Sequence, residues 1–485
     1  MRLSKQSIPE LPKTVRRPAY DRRALREGVL HIGVGNFHRA HQALYFDESI
    51  ESTGSTDWGI CGVGILPSDR AIHDALMDQD GLYSLVEKSD DERRVRVVGS
   101  LVRHVLAPVN PEVVFEVLAR PETRLVTLTI TEGGYCARGS AGLDFGHPDI
   151  EHDLRRRWRP KTVYGYLAEG LDRRRLRGLD SLPVVSCDNV PDNGIVLGRA
   201  LVDFCSARGA ELGTWLRDHG SFPSSMVDRI TPAATAGDRE RLLADTGLED
   251  ACPVVCEPFR QWVLEDSFAG HRPPLDAVGV HFVNDVRPYQ EVKIRLLNAT
   301  HSAMGYLGHL CGYRYVHEVA SAPEFQQYLG GLMDEEVSPL LTSLPGLSLD
   351  AYKATLFARF RNRALVDPLL RICADGSAKL PKFVLPSIQG ELERNGPIRW
   401  LSLCVASFLR FLNGTDDAGG PIPVIDPGAG ALVDAVRSHP GDARLALGEK
   451  AVFGDLGRSE RFVSEVSAWL RALHERGARA VLGVN

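Results

Sequence analysis

The chain has 485 residues, too many for one small core and about right for two or three domains. Hydrophobic residues at 44% and charged residues at 25% fit a soluble globular enzyme, and a net charge of −6 with no basic stripe argues against a nucleic-acid partner. No run approaches the roughly 18 apolar residues of a membrane span, and the N-terminal stretch lacks the apolar core of a signal peptide. Nine scattered cysteines, an odd number, fit reduced thiols in a cytoplasmic protein rather than a disulfide framework. "CPVVC" (Cys252, Cys256) has no second cysteine pair to complete a zinc site, so no metal is expected there.

In chain order, "GVLHIGVG" reads as a strand, "HRAHQALYFDESIES" as a helix, "WGICGVGI" as a strand and "RAIHDALMDQ" as a helix. "LYSLVEKS" and "RRVRVVGSLVRHV" flank "DDE" and read as an antiparallel insertion. "RLVTLTIT" and "LPVVSC" are further buried strands, with the helical "VYGYLAEGLDRRRLRG" before the second. This alternation predicts a doubly wound, mostly parallel sheet. From about residue 285 long helical patterns dominate, including "YQEVKIRLLNATHSAMGYLGHLCGY" and "PIRWLSLCVASFLRFLNG". The expectation is an α/β fold. A Rossmann-type dinucleotide-binding domain covers 1–284, and a mostly α-helical substrate and catalytic domain covers 285–485.

"HIGVGNFHRAH" follows the first strand and opens a helix. Gly33 and Gly35 suit the tight turn and the close backbone approach that a pyrophosphate needs at a helix N-terminus. His38 stands where the usual fingerprint has its third glycine, so the motif by itself also suits an ordinary strand–helix turn. His38 and His41, three apart, lack an evident third metal ligand, and packing is the expected role. For the adenosine ribose, Asp57 lies at the usual offset but precedes the second strand. Asp69 follows that strand, at the carboxyl end where ligands bind, and is preferred.

"KIRLLNATH" puts Lys293, Asn298 and His301 on an otherwise largely apolar helix. At about 100° per residue, with Lys293 at the origin, His301 falls near about 80° and Asn298 near about 140°. One reading is a partly solvated helix with a snorkelling lysine. The other is a catalytic base with helpers. Bringing a lysine from roughly 10.4 to about 7–8 takes about 4 kcal/mol, within reach of desolvation and a neighbouring cation. His301 would then orient substrate, and Asn298 would donate to an oxygen that turns negative. Asn189, after "LPVVSC", suits a second donor or a plain turn. Asp228, in the polar loop "SFPSSMVDRITP", suits substrate hydroxyls or a salt bridge to Arg229.

Taken together, "HIGVGNFHRAHQA", "ICGVG", "TLTITEGGYC", "SCDNVPDNG", "SFPSSMVDRITP", "VVCEPFRQWVLED", "KIRLLNATH", "GYRYVHE" and "DGSAKLPKF" resemble the polyol-specific long-chain dehydrogenases, from residue 30 to about 385. The resemblance implies a Rossmann-type N-terminal domain, a mostly helical C-terminal domain, an active site in the cleft between them and metal-independent catalysis by a monomer. It implies Lys293 as general acid/base, and Asn189 and Asn298 as an oxyanion hole. His301, Asp228, Arg371 and Lys379 would contact the polyol, and Gly33, Gly35, Phe37 and Asp69 the cofactor. The implied reaction is NAD-dependent oxidation of a polyol, D-mannitol foremost, to a 2-ketose such as D-fructose, and the reverse. D-arabinitol oxidation and fructuronate reduction remain open alternatives, as does a non-catalytic dinucleotide sensor. Two departures stand out. Relatives tend to carry an acid before Asp69, where this chain has Ser68, which leaves room for NADP as a weaker cofactor. Relatives often carry paired acids before the lysine, where this chain has Gln290 and Glu291.

Overall fold

The computed structural model describes residues 1–136, 142–342, 344 and 347–483. They fall into two compact units, Met1–Arg287 and Pro288–Asn485.

The first unit is built on a five-stranded, all-parallel sheet of β1 (Val29–Ile32), β2 (Ile60–Gly64), β3 (Leu101–Leu106), β4 (Leu125–Leu128) and β5 (Val184–Ser186). Its spatial order is β3-β2-β1-β4-β5, the doubly wound order of dinucleotide-binding folds. All residues of β1, β2, β4 and β5 are buried, as a sheet covered on both faces requires. Side chains alternate between two cores. Leu30 and Ile32 join the cluster formed with helices Pro111–Leu118, Val163–Leu176 and Asn193–Arg208, whereas Val29 joins the one formed with helix Gln42–Thr53.

Two local readings need correction. The insertion pairs Tyr83–Lys88 antiparallel with Arg93–Val98, but "SLVRHV" is not part of it. Gly99 N–H donates to Asp47 at 2.8 Å and Ser100 Oγ to Ala43 O at 2.6 Å, so the chain bends away and Leu101–Leu106 becomes β3. "SFPSSMVDRITP" is not simply a loop either. Ser225–Asp228 is a buried strand, antiparallel to Gln261–Glu265.

The second unit has helices and isolated bridges, with no named strand among its described residues. Its centre is Ala299–Leu310, which is buried at every position but His301 and packs against Arg399–Phe411 and Leu369–Cys373. A helix buried nearly all round belongs in the middle of a bundle. Glu336 secures the start of Arg399–Phe411 by accepting from the N–H groups of Trp400 (2.7 Å) and Leu401 (2.8 Å). No helix among the described residues is long and apolar enough to cross a membrane.

Candidate active site

In the first unit the strand order reverses between β1 and β4, and a crevice opens outside the carboxyl ends of strands at such a point. Gly33 makes the turn there. Its φ is +97°, and a Cβ would lie 2.0 Å from Thr129 O, so only glycine passes. Gly35 is different: an added Cβ would meet no protein atom within 4 Å. The space beside it is open. The turn opens the short helix Asn36–Ala40 and lines a cavity of about 740 Å³ together with Asn36, Arg39, Asp69 and Thr131.

His38 fills the place of the missing glycine by stacking on His31, with ring centroids 3.3 Å apart. Burial holds both imidazoles well below their usual pKa, and therefore neutral. His41 Nε2 lies 2.8 Å from Gln261 O. Both histidines pack the turn. Phe37 is not among the residues lining the cavity, and its ring stacks on His41 at 5.0 Å. Asp69 ends the turn after β2 and lines the cavity, with Oδ2 accepting from Leu66 N–H at 2.9 Å. Asp57 pairs instead with Arg124 (2.9 Å) and Arg26 (3.4 Å) at the amino end of β2.

Asn189 is exposed in the loop after β5. The residues that fix this loop are Asp188 and Asn193, which the sequence reading passed over. Asp188 accepts from the N–H groups of Ile130 (3.1 Å) and Thr131 (2.9 Å) and from the Tyr135 hydroxyl (3.0 Å). Asn193 donates to Asp188 O (3.1 Å) and Ser225 O (2.9 Å) and accepts from Ser225 N–H (2.9 Å). That tie anchors the strand on which buried Asp228 lies. The Arg229 guanidinium is engaged with Ala40 O (2.6 Å), Glu257 O and Glu87.

Helix Arg287–Val292, which begins at the last residue of the first unit, passes into a π-helical turn, Lys293–Asn298, and then into Ala299–Leu310. The 100° wheel therefore does not hold across this stretch. An i→i+5 turn is wider than an α-helical one, which brings Asn298 closer to the Lys293 face than the α-helical spacing would. Lys293 is 5% exposed, so the partly solvated, snorkelling alternative fails. One amide end of Asn298 (Oδ1) and Nε2 of His301 are buried without a hydrogen-bond partner. Such atoms are costly unless something else completes them. Burial, then the charges of Arg371, Arg359, Lys293 and Lys379, hold His301 well below its ordinary pKa. It is thus a neutral imidazole among cations, and its ring leans on Phe360 at 4.9 Å. Arg371 is held by Asp367, with Nε 2.6 Å from Oδ1, and Lys379 Nζ donates to Ile372 O at 3.3 Å. The fold thus gathers Lys293, His301, Arg371 and Lys379 from two segments some seventy residues apart in sequence. Arg359, from "FARFRN", joins them without any motif to announce it.

The model of the mannitol dehydrogenase Rossmann domain matches residues 27–277, and that of the mannitol dehydrogenase C-terminal domain matches residues 285–474. The chain belongs to the mannitol dehydrogenase family. A mannitol 2-dehydrogenase of Phaeosphaeria nodorum is 42% identical over 99% of this chain and 85% of its own. A mannitol 2-dehydrogenase of Pseudomonas fluorescens, solved as a ternary complex with NAD and D-mannitol, is similar at 43% identity and a TM-score of 0.94, over 100% of this chain and 99% of its own. A D-sorbitol dehydrogenase in substrate-free form reaches a TM-score of 0.88 at 35% identity, over 99% of this chain and all of its own. The Gly35 opening leaves room for a ligand, and the buried cluster around His301 leaves polar atoms without a protein partner.

Proposed function

We propose that this protein is an NAD-dependent polyol dehydrogenase that interconverts D-mannitol and D-fructose, with Lys293 as its general acid/base. The observation that carries this is Lys293 buried on a π-helical turn beside a neutral His301, in a chain alike end to end to an enzyme that binds NAD and D-mannitol. NAD fits the residues present. Gly33 and Gly35 bring bare backbone to the cavity at a helix start, and Asp69 keeps Oδ1 for a ribose hydroxyl. Bound there, NAD supplies a hydride acceptor for the carbinol carbon, and NADH the donor for the reverse.

The chain's own groups manage the proton and the oxygen. In oxidation Lys293 Nζ takes the hydroxyl proton as the C–O bond gains carbonyl character, and in reduction it returns that proton to the oxygen. The amides of Asn298 and Asn189 donate to this oxygen where negative charge develops. Neutral His301 has one ring nitrogen to donate and one to accept, which suits a hydroxyl that does both. Arg371 and Lys379 donate to the other polyol hydroxyls, and Asp228 accepts from one. A divalent metal is not used in this scheme, and the positive surroundings of His301 oppose one. Eight of the nine free thiols are buried, which suits a reducing cytoplasm, where the enzyme works as a monomer without a nucleic-acid partner.

The test is NADH absorbance with a panel of hexitols, pentitols and hexuronates, using NAD and NADP. Turnover highest with D-mannitol and NAD is expected. Preference for another polyol, which the likeness to a D-sorbitol dehydrogenase makes the second reading, would keep the chemistry and change the substrate. Dinucleotide binding without turnover on any of them would make the protein a sensor.

A further inference from the structure

Asp188 reaches across the end of the sheet from the loop after β5 to the loop after β4. Its two oxygens take two consecutive backbone N–H groups, Ile130 on Oδ2 and Thr131 on Oδ1, and Oδ2 also takes the Tyr135 hydroxyl. Tyr135 is buried and touches Ser186 Oγ on β5 as well. What these bonds hold is a strained segment. Thr131 has φ 60° and ψ 169°, a region essentially reserved for glycine and poorly suited to a β-branched residue. Such a backbone persists only where its surroundings over-determine it. The same segment, Thr131 with Gly133 and Gly134, forms one wall of the 740 Å³ cavity. A Cβ added at Gly133 would meet nothing within 4 Å among the described residues, so this wall too has open space beside it. On the other side of the carboxylate the next residue in sequence is Asn189.

We infer that Asp188 is a positioning residue whose ionised carboxylate holds the strained cofactor-side wall at Thr131 and sets Asn189 in place, so that cofactor affinity and turnover both depend on its charge. This rests on the proposed function, because the cavity is read as the NAD site. The charge matters for a stereochemical reason. A proton on Oδ1 would face the Thr131 N–H. A proton on Oδ2 can turn to the tyrosine oxygen but leaves the Ile130 N–H with a poorer acceptor. Either way at least one backbone bond of the strained segment is weakened or lost. Burial pushes this carboxyl up to about 6, against the pull of the two N–H groups and Tyr135, and Glu132 adds to the rise. The other titratable groups beside it are Tyr135 and Cys187, both held protonated by burial. With a raised pKa the ionised form prevails above about 6 and is lost as pH falls through it, so NAD(H) should bind more weakly on the acid side.

The experiment compares the full-length wild type with Asp188→Asn, each checked by circular dichroism and thermal melting. The wild type must first bind NADH and turn over a polyol. If it does neither, the functional reading falls rather than Asp188's role alone. In the variant, KM for NAD is expected to rise about tenfold or more, and kcat to fall. KM for the polyol should stay within about twofold, because Asn193 ties the Asp228 strand independently of the Asp188 carboxylate. A merely structural role would lower the melting temperature and the active fraction, and leave KM for NAD alone. NADH fluorescence titration from about pH 8 to about pH 5 should show wild-type affinity falling with a midpoint near 6, and no such midpoint in the variant. A folded variant with unchanged KM for NAD and unchanged kcat would overturn the inference. If the variant does not fold, a flat wild-type titration over that range overturns it.

Discussion

The glycine turn after β1 and the π-helical turn at Lys293 are both short, and they solve opposite problems. The first removes side chains. Gly33 lets the chain slip past Thr129 O, and Gly35 leaves a gap that no protein atom fills. The second adds polar side chains where burial makes them costly: Lys293 is 5% exposed, and Asn298 and His301 each keep an unpartnered buried atom. A region built by subtraction offers backbone and space, which suits holding a ligand. A region built by burying lysine, amide and imidazole together offers perturbed acid–base groups, which suits chemistry. The difference teaches where each kind of variant should act: changes in the first should show in cofactor affinity, and changes in the second in turnover.

The largest effect tests that division directly. Lys293→Met is expected to cut kcat by about 10²–10⁴-fold while leaving NADH binding within a few-fold, because it removes the one proton acceptor of the scheme and none of the glycine-turn contacts. Stopped assays of kcat beside NADH fluorescence titration check both halves. Retention of more than about a tenth of the wild-type rate would remove Lys293 from the role of base.

Next come the amides. Asn298→Ala and Asn189→Ala should each lower kcat by about 10²–10³-fold, or roughly 2.7–4 kcal/mol, with little change in KM for the polyol. Effects confined to KM would make them ordinary binding residues. For Asn298 the footing is its place on the same π-helical turn as buried Lys293. For Asn189 the footing is its place after β5 and the Asp188 anchor beside it.

How much of this could be read beforehand follows the same divide. The parallel sheet was legible, because strands covered on both faces are continuous apolar runs, as in "GVLHIGVG" and "RLVTLTIT". The glycine turn was legible because its reasons are local: one residue must adopt positive φ, and a strand must come just before. The departure of β3 from the hairpin was not. It is decided by Asp47 and Ala43, which capture Gly99 and Ser100 from more than fifty residues away in sequence. The π-helical turn was not legible either, since nothing in "KIRLLN" distinguishes i→i+5 from i→i+4 bonding, and that choice decides which side chains align. Nor were Arg359 and Asp188, one with no motif and one hidden beside a more conspicuous asparagine. The polar density of "SCDNVPDNG" was the available signal for Asp188.

A smaller effect sharpens the first region. Asp69 lines the cavity and should accept from the ribose 2′-OH of NAD and repel the 2′-phosphate of NADP. Two unit charges about 4 Å apart at an effective dielectric near 20 repel by roughly 4 kcal/mol, reduced here because Asp69 is partly exposed and screened by salt. Exposed Ser68 adds no second charge and offers a hydroxyl to phosphate, so NAD preference should be real but incomplete. Ratios of kcat/KM for the two cofactors should fall in Asp69→Ala and rise in Ser68→Glu. An unchanged ratio in Asp69→Ala would move the ribose contact elsewhere, since Asp57 is tied to Arg26 and Arg124.

The smallest effect concerns how a proton leaves the second region. Gln290 is 6% exposed and sits one turn before Lys293, on the helix that runs into the π-helical turn. An amide there neither takes up nor releases a proton, whereas a carboxylate would. The hypothesis is that Gln290 leaves Lys293 poorly coupled to solvent, so that proton release is slower than it need be. Gln290→Glu should then speed polyol oxidation by a few-fold. The gain should be largest above the pKa of the new carboxyl, where it is ionised and can accept, and should vanish below it. Burial raises that pKa, so the extra limb should fall nearer neutrality than an exposed glutamate would place it. One effect opposes the gain: a negative charge beside Lys293 raises the lysine's pKa and shifts the onset of oxidation to higher pH. The two separate in the pH–rate profile, the relay as a higher plateau and the charge effect as a shifted limb. A profile identical to the wild type's would mean that Glu291 or water already carries the proton, and that the second region loses nothing by having an amide rather than a carboxylate at Gln290.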